Sequence, residues 1–145
     1  MSLPPFNENG HLPPGIHDAS FDDLRERLGQ SPRRCELLEN LGRYLTELRK
    51  WPLAQAVLVD GSFVTDVAEP NDIDLVLVLR DDYDLSRSVS PFEYNLWSRR
   101  RVRRVFGFDL FAVRPNSIDY TRFVDFFSQV RSQPGLIKGL VRVQP

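Results

Sequence analysis

The chain predicts an α+β fold, a mixed sheet of about three to five strands flanked by helices. Two short apolar runs, at 56–59 and 75–79, are rich in Val and Leu and bounded by small or acidic residues, as buried strands are. A Ser-x-x-Asp and two Ser-Pro pairs open other stretches whose apolar residues recur at three- and four-residue steps, the pattern of amphipathic helices. Strand-like and helix-like segments are interspersed along 145 residues, a length suited to one core.

Residues 1–19 contain Pro4, Pro5, Pro13 and Pro14, which lack amide donors and disfavour helix before them. They are expected as an extended arm, loop or edge-packed strand, ahead of a single domain over 20–145. Ser20 with Asp23 caps a short helix over 21–28, closed by Gly29. Ser31-Pro32 starts a longer helix whose Leu37, Leu38, Leu41, Tyr44, Leu45 and Leu48 form one stripe, ended by Pro52. Gly42 inside it costs about 1 kcal/mol relative to Ala, which close packing would explain.

A strand over 55–60 then runs into the turn Asp60-Gly61-Ser62, and a second strand follows over 73–79. Between them, 63–69 is expected as a short helix or turn broken by Pro70-Asn71. Ser90-Pro91 opens a helix predicted to continue to 105, with arginine at 99, 100, 101, 103 and 104. That run reads as a solvated face or as a phosphate- or RNA-facing patch. A third strand over 106–113 places Gly107, Asp109, Phe111 and Val113 on one face. Ser117 caps a last helix with an apolar stripe of Tyr120, Phe123, Val124, Phe127 and Val130, and 136–143 is expected as a final strand bearing Lys138 and Arg142.

Composition narrows the chemistry. No stretch approaches the ~20 apolar residues of a membrane span, and MSLPPFNENG has neither the basic nor the apolar region of a secretory signal, so a cytoplasmic protein is the expectation. A single cysteine excludes an internal disulfide or a cysteine zinc site. His11 and His17 lie in the proline-rich arm, giving a Ser-His-Asp hydrolase or a histidine metal cluster little support. Neither GxxxxGK[ST] nor GxGxxG occurs. Residues 1–84 hold 8 Lys/Arg against 16 Asp/Glu, whereas 85–145 hold 11 against 4. The division suits an acidic site beside a basic surface for phosphates or nucleic acid, or arises from solvated helices.

The acids at the strand openings are the candidate chemistry. Asp72 and Asp74, two apart on a strand, project together, and paired carboxylates losing hydration are costly unless a cation neutralises them. Asp109, a lone acid in an apolar strand, needs a partner: an arginine of the 99–104 run, or the cation of a site it shares with Asp72 and Asp74. Asp60 and Asp66 are placed outside this site, Asp60 on the strand's other phase.

Gly61-Ser62, nine residues, Asp72-Ile73-Asp74, then Asp109 in a later strand resembles the DNA polymerase beta-like nucleotidyltransferase superfamily over roughly 35–113. The stretches GIHDAS, GSFVT…PNDIDLVLVL, GFDLF and KGLVRV are similar to small bacterial nucleotidyltransferase-fold proteins over nearly the whole chain. The resemblance implies Mg²⁺-dependent transfer of a nucleoside monophosphate from a nucleoside triphosphate such as ATP to a hydroxyl of a protein or RNA. Asp72 and Asp74 would bind two Mg²⁺ ions. Asp109 would bind the catalytic one and help deprotonate the acceptor, while Gly61 and Ser62 hold the triphosphate. It also admits a catalytically silent binding module of a toxin–antitoxin or defence system. On their own, Gly61, Ser62 and Asp72 have structural alternatives: a tight turn, a helix cap and an Asx turn respectively. The arginine that minimal members often carry after the Gly-Ser turn is replaced by Val64-Thr65-Asp66, leaving Lys138, Arg142 or the arginine run to meet phosphate charge. An extra helical domain is not apparent, so base selection is expected to be weak unless a partner subunit supplies the walls. Nothing in the chain points to DNA.

Overall fold

The computed structural model describes residues 3–87 and 89–145. Among these residues, five strands form one mixed sheet: β1 (Ile16–Ala19), β2 (Ala54–Asp60), β3 (Asp74–Leu79), β4 (Asp109–Val113) and β5 (Leu140–Val143), in the order β1-β5-β2-β3-β4. β1 runs parallel to β5 and β3 parallel to β4, while β2 is antiparallel to both of its neighbours. The helices are α1 (Phe21–Leu28), α2 (Pro32–Leu48), α3 (Pro91–Tyr94), α4 (Arg99–Phe106) and α5 (Ile118–Ser128).

Alternation along the strands divides the apolar core between the two faces of the sheet. Val57, Val59, Leu75, Leu77, Leu110 and Val141 join the leucine stripe of α2, with Leu24 of α1 and Val102 of α4. Leu58, Val76, Val78, Val113 and Leu140 meet Phe111, Phe123 and Phe127 on the α5 side. The central strands are covered on both sides, which is why β2 and β3 read as unbroken apolar runs. Gly42 permits close packing: a Cβ there would stand 3.0 Å from the Phe21 ring.

Two helix starts follow local chemistry. Ser20 and Asp23 form a reciprocal capping box on α1, and the Ser31 hydroxyl caps α2 with Pro32 in its first turn. The proline-rich arm is less detached than its composition suggests. Met1 and Ser2 lie outside the described residues, but Leu3 and Leu12 are buried in the α2-side core and 16–19 pair as an edge strand.

The helix predicted over 91–105 is two helices. α3 ends at Tyr94, and Ser98 caps a fresh start at Arg99. Between them the buried Tyr44 hydroxyl donates to the Leu96 carbonyl at 2.6 Å, drawing that turn onto α2. Phe106 belongs to α4 instead of β4, with Gly107 closing the helix in the left-handed conformation. Val130 lies beyond α5, and Lys138 precedes β5 instead of lying on it.

The loop from 61 to 73 is held from one side by α2. Arg34 is 4% exposed and donates to the carbonyls of Phe63 at 2.7 Å, Val67 at 2.7 Å and Thr65. Arg33 reaches the Pro70 and Asn71 carbonyls at 3.0 and 2.8 Å. A planar guanidinium can serve several acceptors at once, whereas an ammonium is a point charge. Arg34→Ala is therefore expected to destabilise the chain by about 2–4 kcal/mol in urea unfolding, with Arg34→Lys recovering less than half of the loss.

Candidate functional site

Gly61 leaves β2 with φ at 91°, and a Cβ there would sit 3.0 Å from the Asp72 carbonyl oxygen and 3.1 Å from its Oδ1. Only glycine lets the two chain segments approach this closely in that conformation. Ser62 begins a single 3-10 turn, Ser62–Val64. Its amide and hydroxyl donate to Asp72 Oδ1 at 2.9 and 2.8 Å, and its Oγ accepts from the Asn71 amide at 3.0 Å. The Gly-Ser turn and the Asp-x-Asp segment are thus laced together side by side.

Strand register aligns the acids. Asp60 stands opposite Asp74 across β2 and β3, and Asp74 opposite Asp109 across β3 and β4. Paired positions share a face, so the three carboxylates form a row on the α5 side of the sheet, in phase with Leu58, Val76 and Phe111. Asp60 therefore belongs with the site, contrary to the phase expected from sequence. Both faces of β2 are apolar, so parity along the strand could not locate it. Pairing β2 with β3 about the Gly-Ser turn is the signal that could have.

Each carboxylate has a different environment. Asp60 is 4% exposed and accepts from Lys138 Nζ at 2.6 Å; burial raises its pKa in spite of that cation. Asp109 is half-exposed, with its Oδ1 3.3 Å from the Arg103 guanidinium. This is the arginine partnership that sequence left open. Asp74 accepts no side-chain hydrogen bond from the described residues. Partial burial and the charges of Asp72, Asp60 and Asp109 push its pKa up to about 6.

A cleft of about 500 Å³ is lined by Asp60, Gly61, Ser62, Asp72, Asp74 and Lys138, together with Phe126 and Arg131. Asp109 lies outside that lining. At its edge the Nδ1 of His11 is buried without a hydrogen-bond partner among the described residues. Of the three anticipated sources of positive charge, Lys138 lines the cleft, where it is already paired with Asp60, while Arg142 is paired with Asp18 at 2.6 Å outside it. A larger hollow of about 1000 Å³ lies among α1, α2, α3 and α4. It lacks clustered carboxylates, and the chemistry places the candidate site in the smaller cleft.

All the donors in the row are carboxylate oxygens, which suit a hard divalent cation in kind. In placement, no three acidic, histidine or cysteine groups among the described residues converge closely enough to hold one ion. Asp72 is engaged by Ser62 and Asp109 faces Arg103, leaving Asp74 as the carboxylate of the expected set without a hydrogen-bond donor.

The raised pKa of Asp74 has a definite sign for stability. Its folded value lies above its unfolded one, so the native state holds the proton more tightly, and stability falls as pH rises from about 4 through 6. Asp74→Asn should remove that part of the slope and be more stable than the parent at pH 7.5 by about 1–2 kcal/mol, after allowance for solvent screening. Urea unfolding at pH 4 and 7.5 measures both quantities.

Among the described residues, no helix is long and apolar enough to cross a membrane. Comparison with curated proteins and with solved structures finds no significant match. A family model does match, described as a family of unknown function (DUF6932), and it spans residues 4–144. That span takes in the arm, all five strands and every member of the acid row, so the chain belongs to this family of unknown function, DUF6932.

Proposed function

We propose that this protein is a nucleotidyltransferase, moving a nucleoside monophosphate from a nucleoside triphosphate to a hydroxyl of a protein or RNA acceptor. The observation that carries the reading is the row Asp60, Asp74 and Asp109, set in register beside a Gly61-Ser62 turn that packs against Asp72. Adjacent carboxylates on neighbouring strands repel, and Asp74 has no hydrogen-bond donor among the described residues to relieve that repulsion. A site that concentrates negative charge in this way favours a cationic ligand.

The residues divide the work by position. Gly61, without a side chain, lets the turn pack against Asp72 at the lip of the cleft, which sets the acids and the Ser62 hydroxyl side by side. Lys138 lines the same cleft and, beyond its bond to Asp60, has ammonium donors left for a phosphate oxygen in place of the arginine missing after the turn. Asp109, the more open end of the row, accepts the acceptor hydroxyl's proton as its oxygen bonds the α-phosphorus. The bond from that phosphorus to the bridging oxygen breaks, and pyrophosphate leaves. The resemblance implies magnesium at Asp72, Asp74 and Asp109. With these three not converged on one point, Asp74 would be the first protein ligand and the triphosphate's own oxygens would complete the ion's shell, where it would offset negative charge. A cytoplasmic setting accompanies this reading, since the triphosphate and Mg²⁺ are available there.

A second reading is favoured by the Arg103–Asp109 contact and the bonds from Ser62 to Asp72, which satisfy two of the expected acids without a metal. On that reading the chain is a silent module that binds a nucleotide or a partner protein, as part of a toxin–antitoxin or defence pair. Incubation of the protein with cell lysate, Mg²⁺ and α-³²P-labelled nucleoside triphosphates separates the two. Transfer onto protein or RNA, reduced at least about 100-fold by Asp74→Asn or Asp109→Asn, supports the enzyme. Nucleotide binding with no label transferred to any acceptor supports the module.

A further inference from the structure

We propose that the end of α5 and the hairpin after it form a nucleobase wall, with the ring of Phe126 as a stacking platform. The proposal rests on the nucleotide reading of the acid cleft and adds how the base is held. Phe126 is 58% exposed, whereas Phe123 and Phe127 on the same helix pack into the core. It meets Phe127 only edge-on, with ring centroids 5.2 Å apart and planes at 77°. The core therefore does not account for the ring, yet it lines the same cleft as Asp74, Ser62 and Lys138.

The wall is built by backbone bonds. Gln129 bridges to Ile137, the Val130 amide donates to the Leu136 carbonyl at 3.1 Å, and the Lys138 amide donates to the Ser128 carbonyl at 2.8 Å. This hairpin carries Arg131, which lines the cleft with Phe126, and leads directly into Lys138. One cleft thus presents an aromatic face, two cations and the carboxylates of Asp60, Asp72 and Asp74. A ligand with a flat π system at one end and polyphosphate at the other matches the aromatic face and the cations, and the divalent cation it carries would meet the carboxylates. Stacking on an aromatic side chain is available to every base, because every base has a π face. The cleft should therefore accept all four nucleoside triphosphates, purines ahead of pyrimidines through their larger ring area.

The test titrates the full chain with ATP, GTP, CTP and UTP, and separately with inorganic tripolyphosphate, by calorimetry in the presence of Mg²⁺. The four nucleotides should bind within about tenfold of one another. Phe126→Ala should weaken each by about tenfold or more, leave tripolyphosphate within about twofold, and be restored by Phe126→Tyr. Lys138→Met should weaken nucleotide and tripolyphosphate alike. An unchanged nucleotide affinity in Phe126→Ala overturns the proposal, as does an equal loss for tripolyphosphate, which would report general damage to the cleft. Binding of one nucleotide alone also overturns it. Nucleotide binding that depends on Phe126 without label transfer upholds this inference while the transferase reading falls. Label transfer unaffected by Phe126→Ala does the reverse, and no nucleotide binding by the parent protein removes both.

Discussion

The guanidinium of Arg34 is the contact on which the site's backbone depends. It is buried between α2 and the 61–73 loop and takes carbonyls from three positions of that loop. The bonds to Phe63 and Thr65 are buried, and either carbonyl left without a donor there would cost free energy comparable to a lost hydrogen bond. With the outer side of the loop fastened in this way and Arg33 holding its far end, the Gly61-Ser62 turn lies against Asp72 and the row of acids keeps its register.

The uneven distribution of charge along the chain becomes a set of pairings in three dimensions. Asp60 of the acidic first part meets Lys138 of the basic second part, and Asp18 meets Arg142. The first of these pairs is largely buried, where its Coulomb attraction is strong but works against the desolvation of both ions. The second lies near the surface at the edge of the sheet, where water weakens it. The basic half therefore serves partly as counter-charge to the acidic half. Asp74, in the middle of the row, is the member left with neighbouring anions and no hydrogen-bond donor among the described residues.

Much of the architecture was readable because its causes are local. Ser20-x-x-Asp23 and Ser31-Pro32 mark helix starts through bonds closed within four residues. The Val- and Leu-rich runs announce strands covered on both faces. The α3–α4 region was harder to read. Ser90-Pro91 is a strong start signal, and the arginine run continues the helical composition past Ser98. The break at 95–98 is accompanied by the Tyr44 hydroxyl bond to Leu96, from a residue 52 positions away. The place of Asp60 was hidden for a related reason. With both faces of β2 apolar, only its pairing with β3 distinguishes the side that carries the acids.

By itself the sequence determined an α+β chain with capped helices, buried central strands, and a glycine-serine turn followed by two acids at a strand opening. Those features follow from backbone sterics, side-chain period and hydrogen bonds between near neighbours. The tertiary structure alone decided that Asp60 joins Asp74 and Asp109, that Lys138 reaches the cleft while Arg142 is held at the sheet edge, and that Phe126 lines the same cleft as Asp60 and Asp74. These depend on strand register and on contacts between segments up to 124 residues apart, where neither periodicity nor propensity carries information.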